Sequence, residues 1–116
     1  MVLLVDGMGA VNLADAASVH RSIPELLAGP TAVTSLPSTT PVALASLGTG
    51  LTPGHHGFVG ATFPVPELDL LLRPLSWDAA PDPVAVQPEQ TLFEEIGRAG
   101  VDVVRVGPAA CAQSGL

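Results

Sequence analysis

The sequence predicts an α/β protein built on a parallel sheet, and three observations carry that reading. Apolar runs of strand length alternate with helical patterns in the order strand, helix, strand, helix, excursion, helix, strand, which implies right-handed crossovers. The layers should be thin and closely packed, because 47% of the residues are hydrophobic and only 3% aromatic, leaving Ala, Val and Leu to fill the core. Two of the apolar runs also end at glycine or proline beside an Asp and a Thr, and such sheets gather functional groups outside the carboxyl ends of their strands. At 116 residues the chain amounts to one domain, residues 1–116.

Residues 1–5 read as a buried strand, continuously apolar and stopped by Gly7 and Gly9. A helix is expected over residues 10–19, where Val11, Leu13, Ala14, Ala17 and Val19 suit one face, and a second short one from Pro24 to Leu27, ended by Gly29-Pro30. Residues 32–35 suggest a short strand. Thr40 then occupies an expected helix N-cap with Pro41 at the first helical position, and the helix runs through Leu47. Residues 48–60 hold too many glycines for regular structure. Residues 61–88 form a proline-punctuated surface excursion with one strand candidate, residues 68–75, that retains Phe63, Leu70, Leu72 and Trp77 to bury. Residues 91–100 read as a helix with Glu94 and Glu95 early and Arg98 in the last turn, as the helix dipole favours, and residues 101–106 as a closing strand.

Charge narrows the partners. Eleven acidic side chains against four arginines and no lysine give a net charge of −7, which argues against nucleic acid, whose phosphates are held by clustered Lys and Arg. The same charge repels small phosphates at long range unless bound cations reverse the sign locally. No apolar run approaches the roughly 18 residues of a membrane span. The amino terminus also lacks the basic residues and length of a signal peptide, so a soluble, cytoplasmic protein is the default expectation. Cys111 is the only cysteine and reads as a small core residue.

Two positions carry chemistry. Asp6 would stand at a strand end, where hard oxygen ligands suit zinc, magnesium or manganese; on its local pattern alone, capping the following turn is the commoner role. Thr40 at a helix start would hold its hydroxyl beside the N–H groups of the first turn, which also bind anions. Metal coordination would activate such an alcohol as a nucleophile toward phosphorus, while a plain cap is the simpler role.

The strand followed by Val5-Asp6-Gly7-Met8-Gly9, and the run from Pro37-Ser38-Thr39-Thr40-Pro41 through Gly48-Thr49-Gly50-Leu51-Thr52-Pro53-Gly54-His55-His56-Gly57, resemble the type I phosphodiesterase and nucleotide pyrophosphatase family of the alkaline phosphatase superfamily. Thr91-Leu92-Phe93 and Val106-Gly107-Pro108 extend that resemblance over most of the chain. It implies a three-layer alkaline-phosphatase-like fold and two divalent metal ions, most simply zinc. It also implies a small phosphate-ester or nucleotide substrate, Asp6 as a metal ligand, and Thr40 as both metal ligand and transiently phosphorylated nucleophile. Thr39 is the rival nucleophile, since adjacent threonines leave the register open by one. His56 matches a loop histidine of the family, so His55 and His56 are read as structural.

The departures are informative. The family draws its remaining metal ligands from Asp and His residues far downstream of the nucleophile, and nothing of that pattern follows His56. The chain is therefore expected to be the amino-terminal part of one catalytic domain, an incomplete fold inactive alone. An Asn-His pair common after the nucleophile of nucleotide enzymes is absent, which leaves nucleotide specificity open. Sulfatases are disfavoured because Thr40-Pro41-Val42-Ala43-Leu44 lacks their arginine. A dinucleotide fingerprint fails because Asn12 stands where its third glycine belongs, and no nucleophile elbow is present. The competing reading is a non-catalytic α/β module that uses the hydroxyl-bearing helix start to bind an anion or a partner. The sequence leaves the oligomeric state open.

Overall fold

The structure, a computed structural model, describes residues 1–77 and 81–111, arranged as two compact units, Met1–Val33 and Thr34–Leu116. In the first unit, α1 (Ala10–Asp15) runs into a 3₁₀ turn at Ala16–Ser18 and packs against α2 (Ile23–Leu27). Gly9 enters α1 extended, its N–H donating to Asn12 Oδ1 at 3.3 Å and its carbonyl accepting from the Leu13 N–H at 2.9 Å. Pro24 lies in the first turn of α2, where its missing N–H costs nothing, and Glu25 beside it complements the helix dipole. The expected helix over residues 10–19 is thus present in its first two-thirds and tightens at its end.

The second unit holds α3 (Thr40–Thr49), α4 (Pro53–His56), β1 (Phe63–Val65), β2 (Leu70–Leu72), α5 (Pro83–Val86) and α6 (Leu92–Arg98). Strands β1 and β2 pair antiparallel, with Phe63 opposite Leu72 and Val65 opposite Leu70. Phe63 and Val65 are buried while Pro64 between them is exposed, the alternation of a ribbon with one face on a core. Asp69 closes the connecting turn in the left-handed region at φ 48°, a conformation Asp tolerates better than most residues.

The core gathers Val42 and Ala45 of α3, Phe58, the inward residues of the ribbon, and Leu70, Trp77 and Val86 packed against them. Phe58 is its centre, with no exposed surface, its ring 5.3 Å from that of Phe63 and stacked on that of Trp77 at 6.2 Å. The Trp77 indole N–H donates to the Pro81 carbonyl at 2.9 Å, so its one polar group is satisfied. The core expected from Ala, Val and Leu is met by Val42, Ala45, Val65 and Leu72, with one addition: three of the four aromatic residues, Phe58, Phe63 and Trp77, meet at its centre.

At its far end α3 stops at Gly50, φ 71°, whose N–H donates to the Ser46 carbonyl at 2.9 Å. A Cβ at Gly50 would stand 3.5 Å from Leu92 Cδ1, which marks where α6 packs against α3. Helix α6 carries a full capping box. Thr91 Oγ1 accepts from the Glu94 N–H at 3.2 Å, and the Glu94 carboxylate accepts from the Thr91 N–H at 2.7 Å. The bond from the Thr91 N–H, and then one from the Thr91 hydroxyl, which donates to Glu94 Oε2 at 3.0 Å, hold the Glu94 carboxyl below its ordinary range.

The expected parallel sheet is the main correction. Among the described residues the only ladder is the antiparallel pair β1–β2; residues 1–5, 32–35 and 101–106 join none. Val2, Leu3, Val33, Val104 and Val106 stand exposed, so the three-layer arrangement is not realised in these residues. The physical reason is that a parallel strand needs neighbours for its N–H and C=O groups and helices over both faces. An apolar run reports a tendency to be buried and does not supply those neighbours. The antiparallel ribbon needs only the short turn through Pro66–Leu68.

Replacing Phe58 by Ala should destabilise the second unit by about 3–5 kcal/mol, whereas Leu71→Ala, on the exposed face of β2, should change stability by no more than about 0.5 kcal/mol. Urea unfolding followed by tryptophan fluorescence measures both, because Trp77 stacks on Phe58.

Candidate active site at the start of helix α3

Helix α3 is held by a continuous inner face of Pro41, Val42, Ala45 and Thr49, all buried, which fixes where its first residue stands. Thr39 is the N-cap, extended at φ −101° and ψ 151°, its carbonyl accepting from the Ala43 N–H at 2.9 Å. Thr40 is the first helical residue and Pro41 the second. The sequence register, with Thr40 as N-cap, is therefore off by one: Pro41 is accepted equally in the second position, since neither position has an intrahelical acceptor. Pro41 brings no N–H, so this helix start offers an anion one donor fewer than an ordinary first turn.

The Thr39 hydroxyl makes no capping bond. Its Oγ1 is buried without a hydrogen-bond partner among the described residues, as is Ser35 Oγ on the preceding loop. Thr40 is half-buried. The Thr39 hydroxyl is thus not explained by side-chain capping of α3, although an N-cap threonine would ordinarily cap.

The glycine-rich segment behind α3 is ordered by its polar side chains. Thr49 Oγ1 donates to the Ala45 carbonyl at 2.7 Å and accepts from the Leu51 N–H at 3.2 Å, closing the helix end onto the next turn. Residues 48–60 were expected to lack regular structure, yet Pro53–His56 form α4, started at Thr52 and ended by Gly57 at φ 78°. Thr52 Oγ1 and His55 Nδ1 lie 2.8 Å apart on its exposed side.

His56 is 1% exposed and uses both ring nitrogens. The Phe58 N–H donates to Nδ1 at 3.1 Å, so Nδ1 holds a lone pair and the proton resides on Nε2, which donates to Ser46 Oγ at 2.9 Å. Burial pushes the imidazole below its ordinary pKa of 6.5, partly offset by a backbone hydrogen bond. With both nitrogens engaged, His56 fastens α4 to the middle of α3, as a structural histidine does. Sequence reasoning missed Ser46 and Thr49; their signal was polarity inside an otherwise apolar helix.

Asp6 lies in the first unit and Thr39, Thr40, His55 and His56 in the second. Asp6 is exposed in a turn with Gly7, whose φ of 69° is the left-handed conformation that glycine adopts freely. The Asp6 carboxylate and Thr40 hydroxyl are hard oxygens of the kind divalent ions accept. Among the described residues, however, no three His, Cys, Asp or Glu side chains come together as a set that could hold a metal ion, so neither oxygen stands in an assembled metal site.

A family model for type I phosphodiesterase / nucleotide pyrophosphatase matches residues 1–113. The chain belongs to that family. No curated protein and no solved structure matches it. Type I phosphodiesterases and nucleotide pyrophosphatases are hydrolases, generally metal-dependent, acting on small phosphate-ester or nucleotide substrates. Membership points to an alkaline-phosphatase-like fold, of which the described residues show helices and one small antiparallel ladder. No helix among the described residues of this phosphodiesterase-family chain is long and apolar enough to cross a membrane.

The two N-terminal and C-terminal threonines of α3 should respond oppositely to an isosteric apolar side chain. Thr39→Val removes an orphaned hydroxyl and should leave stability unchanged or raised, while Thr49→Val strands the Leu51 N–H and should cost about 1–3 kcal/mol. Thermal melting of the two variants side by side gives the comparison.

Proposed function

We propose that this chain serves metal-dependent hydrolysis of phosphodiester or pyrophosphate bonds through a phosphorylated Thr40, with Asp6 and Thr40 as ligands of the divalent ions. The observation that carries the reading is the start of α3: two adjacent threonines, the first with a buried hydroxyl that caps nothing, on a helix anchored along its inner face. The family match over residues 1–113 supports it.

In this reading Thr40 Oγ attacks phosphorus, forming the Thr–O–P bond as the P–O bond to the leaving group breaks. The hydroxyl proton passes to solvent or to the departing oxygen. Water then cleaves the Thr–O–P bond, restoring the hydroxyl and releasing the phosphate product. The helix start orients the phosphoryl oxygens toward the remaining N–H groups of the first turn. Bound divalent ions, most simply two zinc ions, would lower the pKa of the hydroxyl and neutralise phosphate charge that the −7 chain otherwise repels.

The metal set needs more ligands than Asp6 and Thr40, and we therefore read residues 1–116 as the amino-terminal part of one alkaline-phosphatase-like catalytic domain. Residues 1–116 alone should show no phosphodiesterase turnover above background, while a chain extended downstream should turn over and lose activity to a chelator. Chelator-sensitive turnover by residues 1–116 alone would contradict this reading.

In the extended chain, Thr40→Ser keeps an oxygen able to attack and should retain measurable hydrolysis. Thr40→Ala should lose on the order of a thousandfold in rate, about 4 kcal/mol of transition-state stabilisation. A folded, active Thr40→Ala beside a folded, inactive Thr39→Ala would move the nucleophile to Thr39. Activity in both would reduce the hydroxyls to a binding or structural role.

A further inference from the structure

We propose that His56 is an acid-released latch: the neutral imidazole joins α3 to the Phe58 core, and its protonation opens that joint. The geometry leaves no room for a second proton without loss. Nδ1 already accepts from the Phe58 N–H at 3.1 Å and Nε2 already donates to Ser46 Oγ at 2.9 Å. A proton on Nδ1 would face the Phe58 N–H donor to donor and would place a charge where only 1% of the residue is exposed. The His56 ring also stands edge-on to Phe58 at 6.0 Å, so displacing it disturbs the ring at the centre of the core.

Among the described residues no carboxylate acts on the His56 ring to hold the charged form. Between Glu25 and Glu67 the sequence contains no Asp, Glu, Lys or Arg, so α3, α4 and β1 carry none. The other titratable group of α4 is His55, exposed and beside the Thr52 hydroxyl. The charged residues of the elements packed around this region are Asp69 and Arg73 flanking β2, Asp82 preceding α5, and Glu94, Glu95 and Arg98 of α6, all exposed. Burial, the dominant influence, keeps the imidazole neutral below its ordinary 6.5.

The sign follows. The unfolded or opened chain binds a proton at His56 more readily than the closed one, so closure is fully stabilised above pH 6.5 and weakens as pH falls through and below it. The weakening ceases only once the closed form also protonates.

Amide hydrogen exchange of Phe58, corrected for intrinsic rates, together with NMR titration of the His56 ring, tests the latch in the intact chain. Expected is an Nε2-protonated ring at pH 7.5, and a Phe58 protection factor that falls below pH 6.5 at a rate approaching about tenfold per pH unit. His56→Asn keeps an acceptor within reach of the Phe58 N–H but cannot titrate, and its protection should be flat with pH. The proposal is overturned if wild-type protection is constant between pH 7.5 and 5, if the His56 ring titrates at or above 6.5, or if His56→Asn keeps the wild-type slope. Should His56→Asn not fold, the wild-type protection and titration decide alone.

Discussion

The hydrogen bonds of one buried imidazole hold the second unit in register. His56 links the middle of α3 through Ser46 to the backbone of Phe58, and Phe58 is the residue around which Phe63, Trp77 and the ribbon assemble. Because α3 is fixed at its middle by that link and along its inner face by Pro41, Val42 and Ala45, its first residue has one position relative to the core. A segment that looks like a glycine-rich loop thus positions the threonines at the helix start. Its contribution is packing and hydrogen bonding rather than chemistry.

Much of this was legible in the sequence where the signal is local. Helix α6 announces itself through Thr91 and Glu94, three residues apart, and the structure returns the reciprocal bonds of a capping box. Helix α3 was readable from Pro41, although the sequence reading placed its cap one residue late, at Thr40, and ended it at Leu47, two residues short of Thr49, since Pro is accepted at either of the first two positions and Gly48 looks like a stop. The excursion over residues 61–88 was expected to bury Phe63, Leu70, Leu72 and Trp77, and the first and third are buried, the other two packed against the core.

What was not legible depends on partners distant in sequence. Helix α4 contains Gly54 and two histidines and has little helical propensity; it exists because His56 is buried and bonded. The parallel sheet was inferred from apolar runs, whose pairing lies outside any local pattern, and residues 1–5 and 101–106 form no ladder among the described residues. The meeting of three rings at Phe58 was not legible, because a composition of 3% says nothing about where aromatic residues lie. For the site, the local pattern of Asp6 and Thr40 reads more simply as capping, and only the resemblance singled them out; family membership over residues 1–113 agrees with the class of reaction.

The central claim is that a threonine at the start of α3 carries the phosphoryl group during turnover. The most direct measurement is acid quenching of the extended, metal-loaded enzyme during hydrolysis of a phosphodiester, followed by peptide mass spectrometry. The account predicts a peptide heavier by the phosphoryl group with its retained substituent, with fragmentation placing it on Thr40. An enzyme that turns over rapidly while every threonine of this peptide stays unmodified, under conditions that trap a covalent phosphothreonine standard, would contradict it.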